Sequence, residues 1–141
     1  LRVSETTNIE KWVRCVESTL MGNEKLAVSI FEELAKHPSV TLLEGKVEDE
    51  IVSTAIVFTN ETIAGLLLVG TEETYRNRGF GSAITLASKN YAYKKGCSEM
   101  YLHATPAGKS TYLACGFEED GIVDVFDLSK CSSEKSETKS H

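Results

Sequence analysis

The sequence predicts a single α/β domain on a mixed, mostly antiparallel sheet, and three observations carry that expectation. The chain has 141 residues, 41% of them hydrophobic and 26% charged, which suits one soluble globular core and is short for two. Residues 40–45 and 51–59 are strand-like and joined by a short acidic segment, as in a hairpin. The apolar run 63–69 is followed by a glycine-bearing turn, an amphipathic stretch at 79–95 and a strand-like run at 99–104, the order of a right-handed parallel crossover.

Taken in order, residues 1–5 make a brief strand. Asn8 is suited to cap a helix on which Ile9, Trp12, Val13, Val16 and Leu20 share a face, and Gly22-Asn23 ends it. Leu26, Ala27, Ile30, Phe31 and Leu34 form a second apolar helical stripe, stopped at His37-Pro38 because proline disfavours helical geometry in the residue before it. Both stripes are expected to be core. The acidic link 46–50 should be a solvated hairpin tip, and Asn60-Glu61-Thr62 a turn that happens to spell a glycosylation sequon.

Residues 63–69 are almost continuously apolar, which predicts a central strand covered on both faces. The helix at 79–95 carries Phe80, Ala83, Ile84, Ala87 and Tyr91 on one side, Lys94 and Lys95 in its last turn and Gly96 as its stop. A short helix at 107–115 closed by Gly116, and one or two strands over 117–128, complete the domain. From Ser129 on, Ser, Lys and Glu dominate without apolar period, so residues 129–141 should be a disordered tail beyond a 1–128 domain.

Composition excludes some functions. A formal charge of −6 offers no basic stripe for nucleic acid. Cys15, Cys97, Cys115 and Cys131 are scattered, without C-x-x-C pairing or histidine at ligand spacing, so no metal site or disulfide framework is expected and the thiols should be reduced in a cytoplasmic compartment. No apolar run reaches membrane-spanning length, and no membrane partner is expected. A start at Leu1 without an initiator Met suggests an excised or processed fragment. Oligomeric state is not readable.

The stretch from Thr74 to Ala83 joins the central strand to the best helix. Gly79 and Gly81 let the main chain approach an anion closely, the helix behind adds the positive end of its dipole, and Arg76 and Arg78 add fixed charge. Such a nest suits a pyrophosphate better than a carboxylate.

Three phosphate-binding patterns compete for this chain. Gly108-Lys109-Ser110 could end a Walker A loop, but the required first glycine is His103, and Pro106 removes an amide. Gly79-Phe80-Gly81 begins a dinucleotide fingerprint whose third glycine is Ile84 and whose turn lies too far from its strand. The third pattern, Arg76-x-x-Gly79-x-Gly81, resembles the R/Q-x-x-G-x-G/A motif of the Gcn5-related N-acetyltransferase (GNAT) superfamily. Val69-Gly70-Thr71 through Ala83 looks like that family's motif A, and Leu102-His103-Ala104-Thr105 with Tyr112 to Gly116-Phe117 looks like its motif B.

That resemblance implies a GNAT-like fold with a splayed parallel strand pair at a cofactor cleft, acetyl-CoA as cosubstrate and an amine as acceptor. It implies that Val69, Gly70 and Thr71 orient the pantetheine arm and the acetyl carbonyl. Arg76, Asn77, Arg78, Gly79, Phe80, Gly81 and Ser82 would hold the pyrophosphate. Tyr112 matches the family tyrosine that protonates the departing thiolate, and His103, on the strand lining the cleft, is the candidate base. Relatives with a catalytic carboxylate carry it on the central strand, and residues 63–70 contain none; Glu72 and Glu73 are expected in a solvated loop. The acidic hairpin Glu48-Asp49-Glu50 and the Gly22-Asn23 loop are candidates for selecting a cationic acceptor. A CoA- or acyl-CoA-binding module without catalysis, or one lobe of a larger acetyltransferase, remains the alternative.

Overall fold

The structure, a computed structural model, describes residues 1–102, 109–120 and 123–128. In chain order it contains β1 (Arg2–Glu5), α1 (Ile9–Leu20), α2 (Val28–Ala35), β2 (Val40–Val47), β3 (Glu50–Asn60), β4 (Ile63–Thr71), a 3-10 turn (Glu73–Tyr75), α3 (Phe80–Lys94), β5 (Glu99–Leu102), α4 (Lys109–Ala114), β6 (Glu118–Asp120) and β7 (Val123–Asp127). The strands form one sheet in the order β1-β2-β3-β4-β5-β7-β6, with β4 in the middle. The β4–β5 pair is parallel and the other pairs are antiparallel, so the fold is the mixed, mostly antiparallel α/β architecture expected. The 129–141 tail and its expected disorder lie outside the described residues.

Each face of the sheet has its own core. Trp12, Val13 and Val16 of α1 pack on Val40, Leu42 and Ile56, and the buried indole Nε1 donates to the Leu43 carbonyl at 2.8 Å. On the other face Ala64, Leu66 and Met100 meet Ile84 and Ala92 of α3. α1 begins where its cap predicts, with Asn8 Oδ1 accepting from the Lys11 amide at 3.1 Å.

Five expectations are corrected. The second helix starts at Val28, because the buried carboxylate of Glu17 accepts from the Leu26 amide and leaves the chain there extended. Ile30, placed in the apolar stripe, is exposed. The buried face of α3 is turned from the apolar one and includes Thr85, Ser88 and Lys89: the hydroxyls donate to helix carbonyls four residues back, and Lys89 Nζ donates to the Cys115 carbonyl at 2.6 Å. β4 is covered fully on one face only; Ala64 and Leu66 are buried toward α3, while Ile63 and Leu67 on the opposite face are 47% and 46% exposed. The acidic hairpin also tightens, since β2 and β3 pair as far as Val47 and Glu50 and leave Glu48-Asp49 as the tip.

Candidate active site

The site grows from an irregularity in β4. Thr54 pairs with Gly70 and Ile56 with Leu67, so Leu68 and Val69 together stand against Ala55. This is a bulge, and Leu68 takes a positive φ of 51° there. Two hydroxyls of β3 fix it: Thr54 Oγ1 donates to the Leu68 carbonyl and Ser53 Oγ to that of Gly70, each at 2.9 Å. The end of α1 lies against the same backbone, since a Cβ on Gly70 would stand 2.7 Å from Thr19 Oγ1 and 3.0 Å from Leu20 Cγ. Pairing of β4 with β5 runs from Ile63↔Glu99 to Leu66↔Leu102, whereas β4 continues to Thr71. The pairing is described as far as Leu102, and the expected splay beyond it falls on residues 103–108, outside the described residues.

Beyond β4 the chain makes the 3-10 turn and then passes through Asn77 and Gly79, both at positive φ (63° and 80°), into α3. Gly79 is the N-cap and supplies no side-chain cap, so the first-turn amides of Phe80, Gly81 and Ser82 are available to an outside acceptor. A Cβ on Gly79 would meet nothing within 4 Å, so the requirement for glycine is conformational. Arg76 Nε donates to the Thr71 carbonyl at 3.0 Å, tying the loop back to the strand. The guanidinium of Arg78 instead lies 5.4 Å from the ring centroid of Tyr75, which stacks on Phe80 at 5.8 Å.

These pieces enclose a cleft of about 660 Å³. Val69, Gly70, Thr71, Arg76, Asn77, Gly79, Phe80, Gly81 and Ser82 line it, and so does Tyr112 of α4, half-buried and edge-on to Phe117. Of the residues assigned from the sequence, Arg78 is not among the lining, and His103 lies outside the described residues.

A second cleft of about 810 Å³ opens between α1, the β2–β3 hairpin and the end of β4, with Tyr75 in the wall of both. Glu72 lines it from the loop expected of it, part-exposed, and Ser18 Oγ donates to its Oε1 at 2.5 Å. The Cys15 thiol beside it is pushed up to about 12, first by burial and then by the charge and hydrogen bond of Glu72 and the charge of Glu50. Cys15 and Ser18 are one helical turn apart, a spacing visible in the sequence; their partner, 54 residues from Ser18, is not. Glu73 is exposed, as expected.

Comparison with known proteins bears on the family and the fold. The model of the acetyltransferase (GNAT) family matches residues 8–117, well over half of the chain. A search of curated proteins returns no significant match. Among solved structures, the ribosomal-protein-S18-alanine N-acetyltransferase of Escherichia coli aligns over 90% of this chain and 93% of its own, with TM-score 0.76 and 14% identity. An aminoglycoside 6'-N-acetyltransferase complexed with coenzyme A aligns over 91% and 97%, with TM-score 0.78 and 12% identity. Glucosamine-6-phosphate N-acetyltransferase of Arabidopsis thaliana aligns over 86% and 93%, with TM-score 0.71 and 16% identity. At these identities the structures speak to the fold alone. With the family model spanning the bulged strand, the glycine turn and Tyr112, the chain belongs to the acetyltransferase (GNAT) family.

Proposed function

We propose that this protein is an acetyl-CoA-dependent N-acetyltransferase acting on a primary amine. The observation that carries the reading is the convergence in one cleft of the β4 bulge, the uncapped start of α3 and the Tyr112 side chain, three features far apart in sequence. The donor set fits the group: a cleft lined by first-turn amides, a guanidinium and a phenol offers partners for a molecule with a pyrophosphate and a thioester.

Bound acetyl-CoA would supply a thioester whose acetyl group passes directly to the amine nitrogen, the C–N bond forming as the C–S bond breaks. Arg76 and the amides of residues 77–82 would hold the pyrophosphate, with Arg78 bracing the loop through Tyr75. Backbone at Val69, Gly70 and Thr71 would orient the pantetheine arm and the carbonyl. Tyr112 would give its proton to the departing sulfur, and His103 would take one from the amine. Buried free thiols at Cys15, Cys97 and Cys115 support a reducing, cytoplasmic setting. No described helix is long and apolar enough to cross a membrane.

The test is calorimetric titration of the purified chain with acetyl-CoA, with ATP and NAD as controls. Micromolar binding of acetyl-CoA alone is the expected result. Binding of ATP instead would move the phosphate site to Gly108-Lys109-Ser110, and tight acetyl-CoA binding without turnover across a broad amine panel would replace the enzyme with a binding module.

A further inference from the structure

Part of the buried face of α3 is polar, and holding acetyl-CoA makes no use of it. Thr85 and Ser88 satisfy themselves within the helix, donating at 2.7 Å to the Gly81 and Ile84 carbonyls. Lys89 instead reaches out of its helix: it is 2% exposed, and its Nζ donates at 2.6 Å to the Cys115 carbonyl, at the end of α4. A buried ammonium is a poor device for stability alone, since an apolar side chain of similar volume fills such a place at lower desolvation cost. What it supplies is direction, through a charge-assisted bond to the carbonyl end of a helix.

That helix end is also the frame of Tyr112. The Cys115 amide donates to the Thr111 and Tyr112 carbonyls at 3.1 Å, and the Phe117 amide, beyond a Gly116 at a φ of 95°, donates to the Tyr112 carbonyl at 3.0 Å. The Phe117 ring then stands edge-on to the phenol ring. α4 is only six residues long, and on its outer side Leu113 is 44% exposed, so it is held from its inner side. There α3 meets the α4 segment at two points. One is its first turn, where a Cβ on Gly81 would stand 3.7 Å from Thr111 Cγ2. The other is Lys89, roughly 12 Å further along the axis by the rise per residue. The first turn of α3 also supplies the amides assigned to the pyrophosphate, so the Lys89 bond seats Tyr112 on the element that holds the cofactor.

We infer that Lys89 is the positioning residue for Tyr112, holding α4 through the Cys115 carbonyl so that the phenol keeps its place at the thioester sulfur. The inference rests on the acetyltransferase reading above and deepens it. Lys89 does not line the cleft, so its influence on the bound cofactor passes through α4.

A readout that needs no acceptor comes from the five tyrosines of the full chain, replaced by 3-fluorotyrosine. The Tyr112 fluorine resonance is assigned by its loss in Tyr112→Phe, and acetyl-CoA is added to saturation, with affinity followed by calorimetry. In the wild type the Tyr112 resonance should move. In Lys89→Met acetyl-CoA should bind within about twofold of wild type, while the shift falls to less than about half, because the lost contact lies outside the cleft. Lys89→Arg keeps a cationic donor and should retain the shift. A merely structural lysine would lower the melting temperature of Lys89→Met and leave the shift at saturation unchanged, and that result overturns the inference. Loss of the shift in Lys89→Arg as well would assign the effect to packing and overturn it too. Lys89→Gln is the second truncation should Lys89→Met not fold; if neither folds, Lys89 serves the fold as a whole and the inference falls. A wild-type chain that binds acetyl-CoA without moving the Tyr112 resonance removes Tyr112 from the site and the inference with it. One that does not bind acetyl-CoA removes the acetyltransferase reading itself.

Discussion

Tyr112 is where packing and the proposed chemistry meet in one side chain. Its ring sits edge-on to Phe117 with centroids 6.1 Å apart, and the residue also lines the first cleft. Tyr112→Phe keeps the ring and removes the hydroxyl, so stability and acetyl-CoA affinity should hold while kcat falls by about 10²-fold or more, the scale of a lost general acid. A fully active variant would strip Tyr112 of that role. The two arginines should separate as well. Arg76 borders the cleft, so Arg76→Ala should weaken acetyl-CoA binding by on the order of 1–3 kcal/mol in a calorimetric titration. Arg78 rests on Tyr75, and its removal costs an exposed cation–π contact of about 0.5–1 kcal/mol. Equal losses would mean that both reach the pyrophosphate. Residue type and spacing made both arginines legible in the sequence. Which of them turns to the cleft depends on where Tyr75 stands, and that is a tertiary fact.

At the scale of elements, periodicity located the strands and helices because burial imposes it, and it failed where another force was stronger. The buried side of α3 carries Thr85, Ser88 and Lys89, which a hydropathy pattern assigns to solvent; their hydrogen bonds to carbonyls make burial tolerable. The bulge in β4 left no mark either. Leu68 is a poor residue for a positive φ, and it is held there by hydroxyls of β3 and by the end of α1. Gly70 is the point at which that packing can be tested. Gly70→Ala places a methyl 2.7 Å from Thr19 Oγ1 and should cost about 1–3 kcal/mol in denaturant unfolding, with weaker acetyl-CoA binding as α1 is pushed off the strand. Adding Thr19→Ala should recover part of both losses, because the two sites are in contact. Independent, additive effects would show that α1 does not set the shape of the bulge.

For the molecule as a whole, α1 is the element on which both clefts depend, with Thr19 and Leu20 on one and Cys15 and Ser18 on the other. What fixes the C-terminal end of α1 is Glu17, a buried carboxylate that no amphipathic reading would place inside. Its Oε2 accepts from the Leu26 amide and from Arg14, each at 2.6 Å, so it closes the α1–α2 loop as a cross-brace. The Leu26 amide, then Arg14 and Lys25, hold the Glu17 carboxyl below its ordinary value of 4.5, with burial opposing them. A carboxylate whose pKa is depressed by folding stabilises the native state above its unfolded value, and that contribution is lost as pH falls through the folded one. Thermal melts of the wild type and Glu17→Gln should therefore differ by a constant gap at neutral pH. The gap should narrow once the pH drops below about 4.5 and close below the folded value. A gap that stays parallel to the acid limit would mean that Glu17 acts by shape alone. Because the loop it braces anchors the common wall, acid should loosen acetyl-CoA binding over the same window, before the sheet itself unfolds.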